Sequence, residues 1–298
     1  MMVFAMRPHI STQIKLWHLI VAGFFPLAGW IVLAIWLDQR QHFKECIDCR
    51  ESFSVYRDQP VRTPTAERTP WGYADMAMAI GIFIGAAFLI VAPAAVIATV
   101  IAGGSDLTGD NTAMAVLLGA NLLLEAFLLL AVALFTVGKY KVSWSAVGFR
   151  MPQRGGWWLP LALLGGALVV IWTYFGILAA FGVEPEGNIP DEAFDSVPLV
   201  VLVGVLSLGL APIMEETFFR GFLFGGLRGR WGVFLAALAT GFLFALAHID
   251  PLVYMPFTVV GMLFAWGYVY SGSLLASVIA HLLFNGISFG LAVSGVGT

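Results

Sequence analysis

The chain has 298 residues, of which 60% are hydrophobic and only 11% are charged. A soluble domain cannot bury that much apolar surface, so the composition, with a mean hydropathy of +0.90, predicts a protein that crosses the membrane several times. The formal net charge of −3 argues against nucleic-acid binding, and two cysteines, Cys46 and Cys49, are too few for a disulfide framework.

Apolar segments of helical length follow one another along the chain. Only helices and closed barrels satisfy the backbone in lipid, and these segments lack the alternating pattern of barrel strands. We therefore predict an all-α, polytopic membrane helix bundle of about eight transmembrane helices. The predicted spans are 16–37, 76–102, 113–137, 158–182, 197–219, 232–249, 252–270 and 273–293. The first is too long for the core of a signal peptide, and no small-residue cleavage site follows it.

We divide the chain at residue 110. Residues 1–110 form an N-terminal transmembrane region with a polar 38–75 loop, and residues 111–298 form a C-terminal helical bundle. Within the loop, His42, Cys46 and Cys49 supply three potential zinc ligands, whereas a structural zinc normally needs four. Two reduced thiols without a metal are the favoured interpretation, and a small zinc site is the alternative.

Lysine and arginine are confined to alternate connections. Connections 38–75, 138–157 and 220–230 are basic, whereas all charged residues in 103–112 and 183–197 are acidic. The positive-inside rule then predicts that the basic connections are cytoplasmic. Eight spans would put both termini outside, which the basic N-terminus opposes. A re-entrant N-terminal helix or a miscounted span would remove this conflict.

An isolated acid, Glu125, lies inside the span 113–137. It follows Asn121 by one turn, so both side chains share a helix face. No histidine or arginine accompanies it. We therefore interpret Glu125 as a structural hydrogen-bonding group that contacts a neighbouring helix.

A cluster of polar side chains lies inside or beside the apolar segments of the C-terminal half. Charged side chains at the centre of a bilayer cost about 2.5 to 3.5 kcal/mol each on insertion scales. A chain that keeps several charged side chains at this depth is predicted to need them for its function. The cluster comprises Glu215, Glu216, Arg220, His248, His281 and Asn285.

The two adjacent glutamates are expected to differ in role. Glu216 and Arg220 are one turn apart, so their side chains can pair. Glu215 points roughly 100° away around the helix and lacks that partner, which makes it the candidate general base. Pro212 frees the carbonyl of Leu208 and can kink the helix here. A structural salt bridge at a helix end is the alternative for the pair, but it leaves Glu215 unexplained.

The remaining polar residues also have ordinary interpretations when taken singly. His248 ends an apolar run, as interfacial histidines do, and His281 with Asn285 share one helix face, as interhelical hydrogen-bonding groups do. Together with Glu215, however, two histidines and an amide suit water activation and oxyanion stabilisation.

These residues closely resemble the motifs of the CPBP family, which includes CAAX prenyl protease 2 and the bacteriocin-processing Abi intramembrane proteases. The segment 211–221 resembles the family's Glu-Glu-x-x-x-Arg motif, Phe244 and His248 its second motif, and His281 and Asn285 its third. Segment 271–277 is similar to the lead-in to the third motif, with serine in place of threonine. Segment 147–150 is similar to the stretch before the domain in bacterial members. The resemblance covers about 197–290.

The resemblance implies an intramembrane endopeptidase. Glu215 and His248 would activate a water that attacks the peptide carbonyl, His281 and Asn285 would bind the oxyanion, and the pair of Glu216 and Arg220 would support the site. The implied partners are a membrane-associated peptide or protein substrate and the lipid bilayer. The implied location is the bacterial or archaeal plasma membrane. Eukaryotic relatives trim prenylated C-termini, and bacterial ones are linked to peptide maturation and bacteriocin self-immunity.

Three alternatives stay open. A zinc-bound water would do the same chemistry, but no His-Glu-x-x-His pair is present, so we expect no metal cofactor. A transporter also carries intramembrane charges, although we see no paired broken helices in two halves. A non-catalytic membrane adaptor of the same family is the third possibility. The absence of Gly-x-Ser-Gly and Gly-x-Gly-Asp motifs disfavours serine and aspartyl intramembrane proteases.

Overall fold

The computed structural model describes residues 69–104, 107, 109–183, 191–194 and 196–294. The predicted first span, 16–37, and the candidate zinc ligands His42, Cys46 and Cys49 lie outside the described residues. All regular secondary structure in the described part of the chain is helical. This confirms the predicted all-α fold class.

The described helices are labelled in chain order. They are α1 (Tyr73–Ile101), α2 (Asn111–Ala133), α3 (Trp144–Val147), α4 (Trp158–Ala180), α5 (Val197–Gly204), α6 (Ala211–Glu216), α7 (Gly225–Leu246), α8 (Tyr254–Ser271) and α9 (Leu275–Ser294). Three π-helical stretches extend or join them: Leu134–Gly138 after α2, Val205–Leu210 between α5 and α6, and Thr217–Phe224 between α6 and α7. Short 3₁₀ turns cover Asp191–Phe194 and Pro251–Val253.

Six helical runs among the described residues are long and apolar enough to cross a membrane, and the chain is a multi-pass membrane protein. The runs are Tyr73–Ile101, Asn111–Gly138, Trp158–Ala180, Val197–Leu246, Pro251–Ser271 and Leu275–Ser294. The predicted span 197–219 and most of the predicted span 232–249 fall within one 50-residue run, Val197–Leu246. They are separated by a kink at Gly232, where φ is 79° and ψ is 168°. Glycine adopts such a backbone without the steric cost that a Cβ would add.

The basic connections meet at one end of the bundle. Lys139, just after the second described span, pairs with Asp75 at the start of α1 at 2.5 Å. Beside Asp75, the Trp71 carbonyl accepts a hydrogen bond from Arg230 at 3.1 Å, and the Trp71 ring nitrogen donates to the Phe222 carbonyl at 2.9 Å. Two of the three connections that charge assigns to the cytoplasm therefore lie together here: 138–157 and the part of 220–230 around Arg230.

A tight turn of two serines and a glycine links α8 to α9. Gly272 ends α8 in the left-handed region, with φ at 71°. The Ser271 hydroxyl donates to the Ser273 carbonyl and accepts from the Ser273 amide, and the Ser273 hydroxyl accepts from the Leu275 amide at 3.1 Å. The serines thus satisfy backbone groups that the helix ends leave free. This turn fixes where α9 begins and so where its polar residues lie.

The segment around α3 packs against the helices that carry the polar cluster. The Gly148 carbonyl accepts a hydrogen bond from the Leu274 amide at 3.0 Å, and the Tyr268 hydroxyl donates to the Val147 carbonyl at 3.2 Å. Gly221 lies directly against this segment, since a Cβ there would come within 2.6 Å of Val147 Cγ1. The short segment at 147–150 therefore supports the π-helical stretch that contains Arg220.

Helices α7 and α8 approach each other backbone to backbone. A Cβ on Gly241 would lie 2.6 Å from the Thr258 carbonyl oxygen, and a Cβ on Gly261 would lie 2.7 Å from the Gly241 Cα. Small residues at such crossings let membrane helices pack closely. The close crossing places the end of α7 beside the buried charges that follow α6.

Candidate active site

Glu216 is the centre of the buried polar cluster. Its Oε1 accepts a hydrogen bond from Arg220 Nη1 at 2.8 Å, as the spacing of one turn predicts, and lies 3.1 Å from His281 Nδ1. The Glu216 side chain is fully buried, and the Arg220 side chain is 1% exposed. A carboxylate keeps its charge at such depth only when it is well bonded. Glu216 therefore fixes both the guanidinium and the imidazole.

The contact with Glu216 also sets the orientation of His281. With a hydrogen on Nδ1 that is donated to Glu216, the other ring nitrogen, Nε2, points towards Glu215 and lies 3.8 Å from its Oε2. The imidazole thus lies between the two adjacent glutamates. Through this ring, the third predicted motif, which contains His281, contacts the first, which contains both glutamates.

Aromatic rings line the other side of Arg220. Its guanidinium carbon lies 4.4 Å from the centre of the Phe244 ring and 5.6 Å from that of Phe264. Phe244 also packs edge-on against His248 at 4.9 Å and against His281 at 5.9 Å. Phe244 is the common neighbour of three predicted site residues. Its spacing of one turn before His248 was the only signal of this role in the sequence.

His248 follows the end of α7 and is held by its own helix. Its Nδ1 lies 3.0 Å from the Phe244 carbonyl oxygen, and its ring packs against Phe257 at 4.6 Å. A hydrogen on Nδ1 bonded to this carbonyl leaves the lone pair on Nε2 for proton transfer. Among the described contacts, His248 makes no ion pair or hydrogen bond with Glu215. The two groups are connected indirectly, because Phe244 packs against both His248 and His281, and His281 lies 3.8 Å from Glu215.

Asn285 supplies a hydrogen bond that Pro212 cannot make. At the end of the π-helical stretch, the Ala211 amide bonds to the Leu206 carbonyl, five residues back. The next bond in this series would join Pro212 to Ser207, but proline has no N–H. Asn285 Nδ2 donates to the Ser207 carbonyl at 2.8 Å. The prediction that Pro212 frees the Leu208 carbonyl is therefore corrected to Ser207, because the chain is wound as a π-helix there.

Glu125 of α2 belongs to the same cluster. Its carboxyl group interacts electrostatically with that of Glu215, and Oε2 of each is buried without a hydrogen-bond partner among the described residues. The neighbouring helix that Glu125 faces is therefore α6. Nothing in the sequence pattern indicates this pairing, because the two residues are far apart in the chain and Glu125 has no polar neighbour except Asn121.

Four buried polar atoms in the cluster have no hydrogen-bond partner among the described residues. They are Glu125 Oε2, Glu215 Oε2, Glu216 Oε2 and Arg220 Nη2. Buried polar atoms in proteins are nearly always hydrogen-bonded, and exceptions call for an explanation such as a role in catalysis. Their concentration at one point fits a place where a water molecule and a peptide group bind.

A bound zinc would need a particular set of side chains. A catalytic zinc takes three protein ligands. In the described part of the chain, no three His, Cys, Asp or Glu side chains are grouped so as to hold a metal ion. His281 is engaged through Nδ1 with Glu216. The cluster is thus arranged as a hydrogen-bonded network, and it does not present the ligand set that zinc needs.

Comparison with known proteins points to the same part of the chain. Residues 197–287 match the family model described as "Type II CAAX prenyl endopeptidase Rce1-like". The chain is 30% identical over 105 residues to the "Putative membrane peptidase YdiL" of Bacillus subtilis. The aligned stretch covers 35% of this chain and 43% of that protein. It is also 30% identical over 144 residues to an "Uncharacterized 24.3 kDa protein" of Escherichia coli. This second aligned stretch covers 42% of this chain and 66% of that protein. No solved structure matches the chain significantly.

Proposed function

We propose that this chain, of which residues 197–287 match the Rce1-like type II CAAX prenyl endopeptidase model, is an intramembrane endopeptidase of the CPBP family. The proposed reaction is hydrolysis of a peptide bond in a membrane-associated peptide or protein. The observation that carries the proposal is the buried cluster around Glu216, in which carboxylate oxygens without a hydrogen-bond partner lie beside His281 and Arg220. His248 packs against Phe244, which also contacts His281 and Arg220.

Glu215 acts as the general base in this proposal. Its Oε2 is buried and lacks a donor, so it can accept a proton from a bound water. The water oxygen then forms a bond to the carbonyl carbon, and the carbonyl electron pair moves to oxygen. When the intermediate collapses, the carbon–nitrogen bond breaks, and the proton passes to the leaving amine. His248, through its Nε2, assists in orienting the water.

His281 and Asn285 stabilise the oxyanion. With Nδ1–H on Glu216, a proton on His281 Nε2 gives a cation that the buried carboxylate balances, and this N–H can donate to the developing negative oxygen. Asn285 uses one of its two amide hydrogens for the Ser207 carbonyl, and an amide carries a second that can serve the oxyanion. Glu216 and Arg220 hold the imidazole in place. The reaction requires no metal in this proposal.

The proposed substrate lies in or at the plasma membrane of a bacterium or archaeon. Support comes from the multi-pass character of the chain and from the bacterial origin of both relatives. The chain spans 43% and 66% of the lengths of these relatives. The division of the chain into an N-terminal transmembrane region, residues 1–110, and a C-terminal bundle that carries the reaction is likewise part of the proposal.

Substrate trapping tests the proposal. The Glu215→Gln protein, purified from its own membrane, is expected to retain an uncleaved peptide that mass spectrometry identifies. The wild-type protein is expected to cut the same peptide when it is supplied synthetically. Glu184→Gln, which changes an acid outside the predicted spans, is the control and is expected to cut it as well. A wild-type protein that binds the peptide without cutting it would support the adaptor or transporter alternative instead.

A further inference from the structure

A groove lies on the surface of the bundle, formed by α7 and by Thr258 of α8. Its volume is about 840 Å³, which is within the range of sites that hold small molecules. Leu235, Leu238 and Phe242 line it, and their intervals of three and four residues put them on one face of α7. Each of the three residues is 40 to 55% exposed. This face is therefore open to the lipid around the bundle.

One end of the groove is positively charged. Arg230 lies there, and it donates one hydrogen bond to the Gly226 carbonyl and another, at 3.1 Å, to the Trp71 carbonyl. A guanidinium has five N–H groups, so three remain for other acceptors. No carboxylate among the described residues pairs with Arg230, and Asp75, the acid at this end of the bundle, is bound to Lys139. The charge of Arg230 therefore has no anion beside it in the described part of the chain.

Two aromatic residues place this end of the groove at the membrane surface. Trp231, which also lines the groove, is 46% exposed, and its ring nitrogen donates to the Tyr73 hydroxyl at 2.9 Å. The guanidinium carbon of Arg230 lies 5.5 Å from the centre of the Tyr73 ring. Tryptophan and tyrosine are enriched at the level of the lipid headgroups. Arg230 is therefore placed at that level, with the two leucines further into the hydrocarbon.

The remainder of the groove has no free polar side chain. Thr258 donates its hydroxyl to the Tyr254 carbonyl of its own helix at 2.6 Å. The other lining residues beyond Arg230 and Trp231 are apolar. The groove is thus charged at the membrane surface and apolar further in, and a phosphate with an attached hydrocarbon chain has the same order of groups. Basic pockets between membrane helices hold the headgroups of anionic lipids in this way.

We propose that the groove is a binding site for an anionic phospholipid of the surrounding membrane. The phosphate binds the free N–H groups of Arg230, and one acyl chain lies along Leu235, Leu238 and Phe242. A lipid without net charge balances its own phosphate, and an apolar helix brings no anion, so neither offsets the charge of the arginine. The site goes beyond the proposed peptidase function, since no step of that reaction uses it and its tests need no cleavage assay.

A bound lipid is expected to stabilise the protein, because it contacts both α7 and α8. These helices cross at Gly241 and Gly261, and a Cβ on Gly261 would lie 3.2 Å from Arg220 Nη2. Thermal unfolding of delipidated protein in a neutral detergent measures the effect. Phosphatidylglycerol is expected to raise the melting temperature at about a five-fold lower concentration than phosphatidylcholine with the same acyl chains, as one cation at a membrane surface contributes.

Substitutions in the groove separate the headgroup from the chain. Arg230→Gln is expected to remove the preference for phosphatidylglycerol, whereas Arg230→Lys keeps a cation and is expected to retain it. Arg228→Gln is the matched control, because it removes the same charge two residues away, where Arg228 lies over the Tyr268 ring and not in the groove. Leu238→Trp fills the groove without altering the bonds of Arg230. It is expected to keep the melting temperature in detergent and to lose the response to both lipids.

Native mass spectrometry of the protein purified from its own membrane identifies the ligand. The wild type and Arg228→Gln are expected to retain one anionic phospholipid, which Leu238→Trp lacks. Equal stabilisation by both lipids, or equal loss of preference in Arg228→Gln and Arg230→Gln, would overturn the proposal. The same stabilisation by inorganic phosphate would overturn it in favour of a site for a free anion. A dimer that Leu238→Trp dissociates would overturn it in favour of a second copy of the chain in the groove.

Discussion

At the scale of single residues, Glu216 holds the site together through one oxygen. Its Oε1 binds both Arg220 and His281 in a fully buried position. Glu216→Gln strands the arginine without its charged partner, and breaking a buried pair in this way typically costs about 3 to 5 kcal/mol. We expect a lower melting temperature in detergent. The double variant Glu216→Gln/Arg220→Gln removes both charges and should be less destabilised than the single one; equal or greater loss would contradict the pairing.

Asn285 offers a second test at this scale, because the interhelical and catalytic roles predict different losses. Its bond to the Ser207 carbonyl supports helix packing, and such bonds in membranes are typically worth under about 2 kcal/mol. A lost oxyanion donor instead lowers turnover by about 10² to 10³. We expect Asn285→Ala to slow cleavage by that order with little change in substrate binding.

The rate per molecule and the melting temperature of Asn285→Ala should be measured on the same preparation. A lower melting temperature with an intact rate would leave Asn285 only its structural role. Asn285→Asp should be slower than Asn285→Ala, because a carboxylate would repel the negative oxygen.

Spacing within a helix made part of the cluster predictable. Glu216 and Arg220 are one turn apart, and that local geometry is retained in the fold. Contacts between helices were not predictable in the same way. The interaction between Glu125 and Glu215 depends on which helices pack together, and a single sequence contains no periodicity that reports it. For the same reason, the packing of Phe244 against Arg220 was not foreseen.

At the scale of elements, the π-helical stretches on both sides of α6 explain where the polar groups point. A π-helical turn within an α-helix often marks a functional site. The stretch Thr217–Phe224 is buried throughout, and Gly221 within it lies against Val147. The wider turn and the missing side chain let the 147–150 segment pack directly against Gly221, the residue that follows Arg220.

Gly221→Ala should therefore destabilise the protein, since the new Cβ would lie 2.6 Å from Val147 Cγ1 and 2.8 Å from the Val147 carbonyl oxygen. Overpacking of this kind typically costs about 1 to 3 kcal/mol. Gly225→Ala is the matched control, because its Cβ would meet its nearest atoms at 3.7 Å, an ordinary contact. Thermal unfolding in detergent measures both. Similar melting temperatures for the two variants would show that the packing at Gly221 is less tight than described.

Helix ends and breaks were only partly predictable. The apolar runs located the described spans to within a few residues, because hydropathy reports burial in lipid. The three arginines of 220–230 predict a polar connection, yet the interval continues the helix up to Gly232. Arg220 is buried in the site, and Arg228 lies over the Tyr268 ring at 5.2 Å. Composition alone does not separate an arginine that pairs inside the bundle from one in a loop.

At the scale of the whole molecule, the charge asymmetry predicts an orientation in the membrane. Connection 138–157 and the helical segment around Arg230 lie at the same end of the bundle and should face the cytoplasm, whereas 183–197 should face outwards. Arg154→Cys and Asp191→Cys, each in a background without Cys46 and Cys49, should react with an impermeant thiol reagent from opposite sides of intact cells and inverted vesicles. Labelling of both positions from one side would contradict this topology.

The metal requirement is a further property of the complete protein. We expect cleavage to survive exhaustive chelation and the purified protein to carry no stoichiometric zinc at the active site. The motivation is the absence of three grouped ligands among the described residues. Zinc that is found should disappear in a Cys46→Ser/Cys49→Ser variant that still cuts peptides. Loss of activity with a chelator and its recovery with zinc would establish the zinc-dependent alternative.

The most direct test of whether Glu215 activates a water for peptide hydrolysis is cleavage in isotopically labelled water. It compares matched preparations of the wild type, Glu215→Gln and His248→Ala. We predict that the wild type incorporates one labelled oxygen into the new C-terminal carboxyl group. Both variants should lose turnover while their membrane levels and melting temperatures stay near wild type. Full activity in Glu215→Gln, or no cleavage by any preparation that binds peptide, would contradict the assignment of Glu215 as the base of an intramembrane endopeptidase.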